Sequence, residues 1–147
     1  MKKEVIILVA DDDDGHAGLI EKNLARAGIV NEIIRFRDGQ EIVDFLLCRG
    51  DGPQRKPDAP YVLLLDIRMP KIDGTEVLRR VKTDPGLRQM PVIMITTTDD
   101  PNEVAYCHAL GCNSYITKPV EYEDFVNAIR QLGLFLAVVQ VPKVAAG

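Results

Sequence analysis

The sequence predicts an α/β fold: a doubly wound, five-stranded parallel sheet with helices on both faces. Three observations carry this expectation. Short runs of wholly apolar residues recur along the chain, and strands buried on both faces of a parallel sheet have that character. Between the runs lie stretches with apolar residues at helical spacing, and strict alternation of the two implies right-handed crossovers. The chain's 147 residues suit one domain large enough to bury a real core.

The elements follow in order. Val5 to Ala10 is apolar throughout and reads as the first strand. Ile20, Leu24 and Ala27 then recur at helical spacing before Gly28, a residue suited to ending a helix. Glu32 to Phe36 is a second, weaker strand, followed by a helix carrying Ile42, Phe45 and Leu46. A loop from Gly50 to Pro60, rich in Gly, Pro and charge, leads to the strand Tyr61 to Leu65. Val77, Leu78 and Val81 mark the next helix, after Asp73-Gly74. Val92 to Ile95 is the fourth strand, and a helix containing Val104, Cys107 and His108 opens at Pro101 and closes at Gly111. Ser114 to Thr117 is the fifth strand, and Phe125, Ile129 and Leu132 lie on the last helix.

Composition narrows the function. Eighteen basic residues stand against 22 acidic, a formal charge of −4, with no basic run, which speaks against direct nucleic-acid binding. The longest apolar stretch, Leu132 to Val141, is broken by Gly133 and Gln140 and is far below the roughly 20 residues of a membrane span. The N-terminal apolar run meets acidic residues too early for a signal peptide. Cys48, Cys107 and Cys112 lack metal-site spacing and read as small apolar residues in a reducing compartment. A soluble, cytoplasmic protein is expected.

The carboxylates are the informative feature. In open α/β sheets, ligands bind beyond the carboxyl ends of the strands. Asp11-Asp12-Asp13-Asp14 begins where strand one ends, Asp66 follows strand three, Thr96 ends strand four, and Lys118 closes strand five. In a flavodoxin-like strand order, 2-1-3-4-5, those four strands are neighbours and their ends share one cleft. Crowded carboxylates repel, and a hard divalent cation such as Mg²⁺ relieves them. Acids with one lysine and one hydroxyl then make a phosphoryl-transfer site in which a carboxylate serves as nucleophile. Taken singly, each residue has a plainer explanation: Asp13 and Asp14 as a helix cap with solvated neighbours, Asp66 as a turn residue, the threonines as strand formers and Lys118 as a surface lysine.

Together these residues resemble the receiver domain of two-component response regulators, including the chemotaxis type. The resemblance spans about residues 4–132. It rests on Asp11-Asp12 after an apolar strand, Leu63-Leu64-Leu65-Asp66-Ile67-Arg68-Met69-Pro70 with Asp73-Gly74, Pro91-Val92-Ile93-Met94-Ile95-Thr96, and Tyr115 before Lys118-Pro119. It implies a (βα)5 domain over 1–132 and a C-terminal extension over 133–147 without an output domain. It implies a phosphoacceptor signalling protein of a bacterial two-component phosphorelay, not a turnover enzyme, that catalyses its own phosphotransfer and autodephosphorylation. Asp66 would accept a phosphoryl group from a histidine kinase phosphohistidine, forming 4-aspartylphosphate. Asp12 would bind Mg²⁺ directly, Asp11 through water, Asp66 beside it, and Arg68 through its backbone carbonyl. Thr96 and Lys118 would contact the phosphoryl group, and Tyr115 would be the aromatic switch that follows Thr96. Signalling would run through the fourth helix, fifth strand and fifth helix to a downstream effector or phosphotransfer protein.

Some features depart from the wider pattern. Asp14-Gly15 stands where many relatives place proline, Arg68 has a side chain long enough to shield the acyl phosphate, and Thr97 is bulkier than the small residue often found there. The Gly50–Pro60 loop, Lys82-Thr83-Asp84-Pro85 and the apolar tail Leu134–Pro142 resemble small regulators that partner phytochrome-type histidine kinases. Such a tail is expected to extend the last helix or pack on a second copy, making a dimer, the plainer alternative being that it folds back over its own core; the 4-5-5 face is another dimer surface. Two other classes compete. A metal-dependent phosphatase with Asp66 as nucleophile wants a second aspartate where Arg68 stands. A flavodoxin-like nucleotide carrier wants a Gly-rich phosphate loop where the aspartates stand, and a silent scaffold of the receiver type loses the acceptor, a metal aspartate or the lysine.

Overall fold

In a computed structural model, the chain is described over residues 5–138, with side chains described to residue 131. Five strands alternate with five helices. They are β1 (Ile6–Ala10), α1 (Asp14–Arg26), β2 (Ile33–Phe36), α2 (Gly39–Leu46), β3 (Tyr61–Leu65), α3 (Gly74–Thr83), β4 (Val92–Thr96), α4 (Pro101–Leu110), β5 (Ser114–Thr117) and α5 (Tyr122–Val138). All pairings are parallel, and the sheet order is β2-β1-β3-β4-β5. The expected flavodoxin-like architecture is present.

The apolar runs are continuous because each strand feeds two cores. Along β1, Ile6, Leu8 and Ala10 enter one cluster while Val5, Ile7 and Val9 enter the other. The strand period of two sends alternate side chains to opposite faces, so a strand covered on both sides needs apolar residues at every position. The first cluster collects Ile42, Phe45 and Leu46 of α2, Val77, Leu78 and Val81 of α3, and Cys107 of α4. The second collects Ala17, Ile20 and Leu24 of α1 with Phe125 and Ile129 of α5.

Aspartates set the helix starts. Asp13, Asp38, Asp73 and Asp100 each cap a helix, their side chains accepting from the backbone N–H of His16, Glu41, Glu76 and Asn102. Asp13 is thus a cap, as its sequence context indicates. Gly111 closes α4 with φ 108°, a conformation that favours glycine.

Some expectations need correction. Ala27 is exposed and is the C-cap of α1, because the helix ends at Arg26 and the chain turns away at Gly28 (φ 83°). His108 is exposed on α4, where Cys107 is the one buried residue. Thr96 belongs to β4: its backbone pairs with Thr117 while its side chain is fully buried. The Gly50–Pro60 loop is present as expected and carries one buried charge. Arg55 is buried there and donates from Nε to the Leu46 carbonyl at 2.7 Å, filling an acceptor at the end of α2. The C-terminal tail is helical to Val138, and residues 139–147, on which part of the dimer expectation falls, lie outside the described residues.

Two features permit specific tests. A Cβ at Gly74 would overlap the Asp66 carbonyl and crowd Ile67 Cα, so only glycine lets α3 begin beneath the loop that carries Asp66. Gly74→Ala is expected to lower stability by about 1–3 kcal/mol, measured by urea denaturation. Burial pushes the Cys107 thiol up from 9.0 to about 11. The folded chain therefore holds a proton there that the unfolded chain releases, and this contribution to stability is present below pH 9.0 and lost as pH rises through about 11. Cys107→Ala is expected to flatten that part of the stability–pH curve.

Candidate functional site

Strand order brings the chosen residues to one rim. β1 ends at Ala10, β3 at Leu65, β4 at Thr96 and β5 at Thr117, and these strands are consecutive neighbours. Asp11-Asp12, Asp66, Thr96 and Lys118 therefore meet at the carboxyl edge of the sheet. The backbone fixes the junctions: Asp66 N–H donates to the Ala10 carbonyl at 2.9 Å, and Lys118 N–H to the Thr96 carbonyl at 2.7 Å.

Asp11, Asp12 and Asp66 each present a carboxylate oxygen, and the three oxygens lie within 4.8 Å of one another. Asp11 and Asp66 are buried, whereas Asp12 is exposed. Into this cluster reaches the buried ammonium of Lys118, with Nζ 2.7 Å from Asp11 Oδ2 and 3.2 Å from Asp66 Oδ2. At an effective dielectric near 20, unit charges 4 Å apart interact by about 4 kcal/mol, so the lysine matters greatly to acids this close. One ammonium against three carboxylates still leaves a formal excess of negative charge. Hard oxygen donors and that excess fit a divalent cation.

Thr96 sits at the cleft's edge, its Oγ1 accepting from Thr98 N–H at 3.5 Å. Tyr115 is partly buried and donates its hydroxyl to the Thr98 carbonyl at 2.6 Å, so β5 holds the loop after β4 at a second point. Desolvation, then nearby acidic groups, push the Tyr115 phenol up to about 12. Arg68 brings its backbone to the cleft, where its N–H donates to Asp66 Oδ1 at 3.4 Å. Its side chain is exposed and lies 3.6 Å from Glu103 of α4. Thr97 is exposed.

Two contributors escape a reading of the sequence. Arg35 of β2 donates from Nε (3.3 Å) and Nη2 (2.9 Å) to the Asp11 carbonyl and from Nη1 to Asp14 Oδ1. Arg37 donates to the same Asp14 oxygen at 2.7 Å. Asp14 is consequently not a mere solvated neighbour: these hydrogen bonds, Arg35's first, hold its carboxyl below the usual range. Arg35 thereby fixes the turn that carries Asp11 and Asp12. The second contributor is His16, whose Nδ1 lies 2.9 Å from Lys118 Nζ. The alternation of Arg35 in β2 with Arg37 just after it is the one sequence signal for the first; nothing local signals the second.

This doubly wound sheet with an acid–lysine rim belongs to a known class. The chain is a member of the response regulator receiver domain family, whose model matches residues 7–130. Members are signalling proteins of two-component systems that are phosphorylated on aspartate, with a histidine kinase as the general partner and a divalent metal at the site. A solved receiver domain from Rhodospirillum rubrum is 47% identical with a TM-score of 0.80, covering 96% of this chain and 99% of that one. The bacteriophytochrome response regulator RtBRR is 40% identical with a TM-score of 0.80, covering 97% and 85%. The Mn²⁺-bound response regulator Rcp1, a protein of Synechocystis, is 31% identical with a TM-score of 0.77, covering 93% and 98%. No helix among the described residues is long and apolar enough to cross a membrane.

Removing the Arg35 clamp tests its part in the site. Arg35→Met is expected to weaken binding of a divalent cation about 10-fold, the usual scale for partners that orient a metal ligand. Calorimetric titration with MgCl₂ measures it, with circular dichroism checking that the fold is intact.

Proposed function

We propose that Asp66 is the phosphoacceptor of this receiver domain, and that Asp11, Asp12, Asp66 and the Arg68 carbonyl hold Mg²⁺ beside it. The observation that carries the reading is the buried Lys118 ammonium bridging Asp11 and Asp66 in a cleft still rich in negative charge. When bound, the metal supplies electrophilic stabilisation of phosphoryl oxygens. The remaining work falls to the chain. An Asp66 carboxylate oxygen attacks phosphorus of the phosphohistidine; the new P–O bond forms as the P–N bond breaks, and the departing imidazole keeps the electron pair. Lys118 neutralises charge on the transferred group, and the Thr96 hydroxyl donates to it. The phosphoryl group adds negative charge and acceptor oxygens. It favours whichever placement of the Thr96–Thr98 loop contacts it better, and Tyr115 shares that loop through Thr98. Release to water returns Asp66 to a carboxylate, the autodephosphorylation that ends the signal.

The receiver unit is read as residues 1–132, with 133–147 as an extension. The donor is read as a histidine kinase of phytochrome type, a reading supported by similarity to the bacteriophytochrome response regulator RtBRR. The outward face of α4, β5 and α5 is offered to a downstream effector, a phosphotransfer protein or a second copy. Support comes from α4, which buries only Cys107 and leaves Tyr106 48% exposed. The absence of a membrane-crossing helix among the described residues is consistent with a place in the cytoplasm.

Acetyl phosphate with Mg²⁺ provides the direct test. Intact-mass measurement is expected to show a gain of one phosphate in the native chain and none in Asp66→Asn. Equal gain in both would remove Asp66 from the role, and no gain in the native chain with any phosphodonor would favour a scaffold.

A further inference from the structure

Lys118 Nζ has three polar neighbours: Asp11 Oδ2 at 2.7 Å, Asp66 Oδ2 at 3.2 Å and His16 Nδ1 at 2.9 Å. An ammonium carries three donors and no acceptor, so each neighbour receives one hydrogen. His16 Nδ1 is placed to accept the third hydrogen, a role open to the tautomer that carries its proton on Nε2. The nearest carboxylate oxygen to the same nitrogen, Asp13 Oδ1, is 3.9 Å away and too distant to take a hydrogen bond from it. The placement is built from two sides. Asp13 caps α1 by accepting from His16 N–H at 2.9 Å, which fixes the backbone. The half-exposed ring lies beside Lys118 and, with it, lines the rim of a small apolar pocket formed with Leu19, Ile20, Pro119 and Val120.

We propose that His16 is a positioning residue for Lys118: it accepts the third ammonium hydrogen and keeps the amine aimed into the cleft while Asp66 changes its chemical form. The proposal rests on Asp66 being the phosphoacceptor. Phosphorylation turns the Asp66 carboxylate into an acyl phosphate, so the bond from Lys118 to Asp66 must pass to phosphoryl oxygens. A lysine stem has four rotatable carbons and is costly to hold in one geometry. With Asp11 and His16 as two fixed acceptors, the third hydrogen stays directed at the place where the phosphoryl group arrives. A neutral acceptor suits this position because a third carboxylate on Lys118 would add negative charge where an anion must bind.

The test compares full-length native protein with His16→Asn, which places an acceptor oxygen near the position of Nδ1, and His16→Leu, which keeps bulk beside the apolar pocket without an acceptor. Nitrogen-15 NMR of the unphosphorylated chain with Mg²⁺ is expected to show the Lys118 ammonium protected from exchange in the native and His16→Asn proteins, and lost in His16→Leu. The phosphorylation rate with acetyl phosphate is expected to fall about 10-fold in His16→Leu and to recover in His16→Asn. An unchanged ammonium signal and unchanged rate in His16→Leu would overturn the proposal, as would a loss in His16→Leu that His16→Asn does not restore. If the native chain takes no phosphate, the assignment of Asp66 falls, and the ammonium signal alone decides whether His16 holds Lys118.

Discussion

Like charges crowded at the end of a buried sheet are the constraint on which this molecule turns. Parallel strands place their carboxyl ends side by side, and here two of those ends deliver buried carboxylates. Acids in that setting survive ionised only with positive charge close by. The chain answers from its far end. Lys118 lies 107 residues from Asp11 and reaches it because β5, β4, β3 and β1 are laid side by side. The sheet thus builds the site, and folding of its last strand is what completes the charge balance of its first turn.

Around that centre the supporting contacts form a ring. Arg35 holds the Asp11 carbonyl from β2, Gly74 lets α3 tuck under the Asp66 loop, and Tyr115 ties the segment after Thr96 to β5. Each support comes from a different element, and each acts on backbone rather than on the acids themselves. These three supports make no demand on the Asp11 and Asp66 carboxylates, which meet Lys118 and nearby backbone N–H groups, while the chain that carries them is held in place.

Much of this was legible in the residues. β3 coincides with the apolar run that marks it, β5 with the weaker, mixed segment Ser114–Thr117, and Asp13 announces α1 because a short acceptor side chain before a helix has few other uses. β4 runs one residue beyond its apolar stretch because Thr96 is polar yet fully buried. The site was legible because strand ends are a fixed place in this architecture. What stayed hidden depends on contacts across long separations. His16 meets Lys118 over 102 residues, and Arg35 meets Asp11 over 24. No local period encodes such a meeting. Arg55 was opaque for another reason: a charged residue in a Pro/Gly-rich loop looks solvated until the helix end that it satisfies is in view.

That arginine divides its loop into two unlike halves. Residues 50–54 are exposed, whereas Arg55, Ala59 and Pro60 are buried against the body of the domain. The outer half connects a helix to the start of a strand, so it lies at the opposite rim of the sheet from the acids. A fluorophore or epitope grafted between Asp51 and Gln54 would therefore ride on the chain without approaching the chemistry, whereas a graft that displaced Arg55 would take from the end of α2 the donor that meets the Leu46 carbonyl.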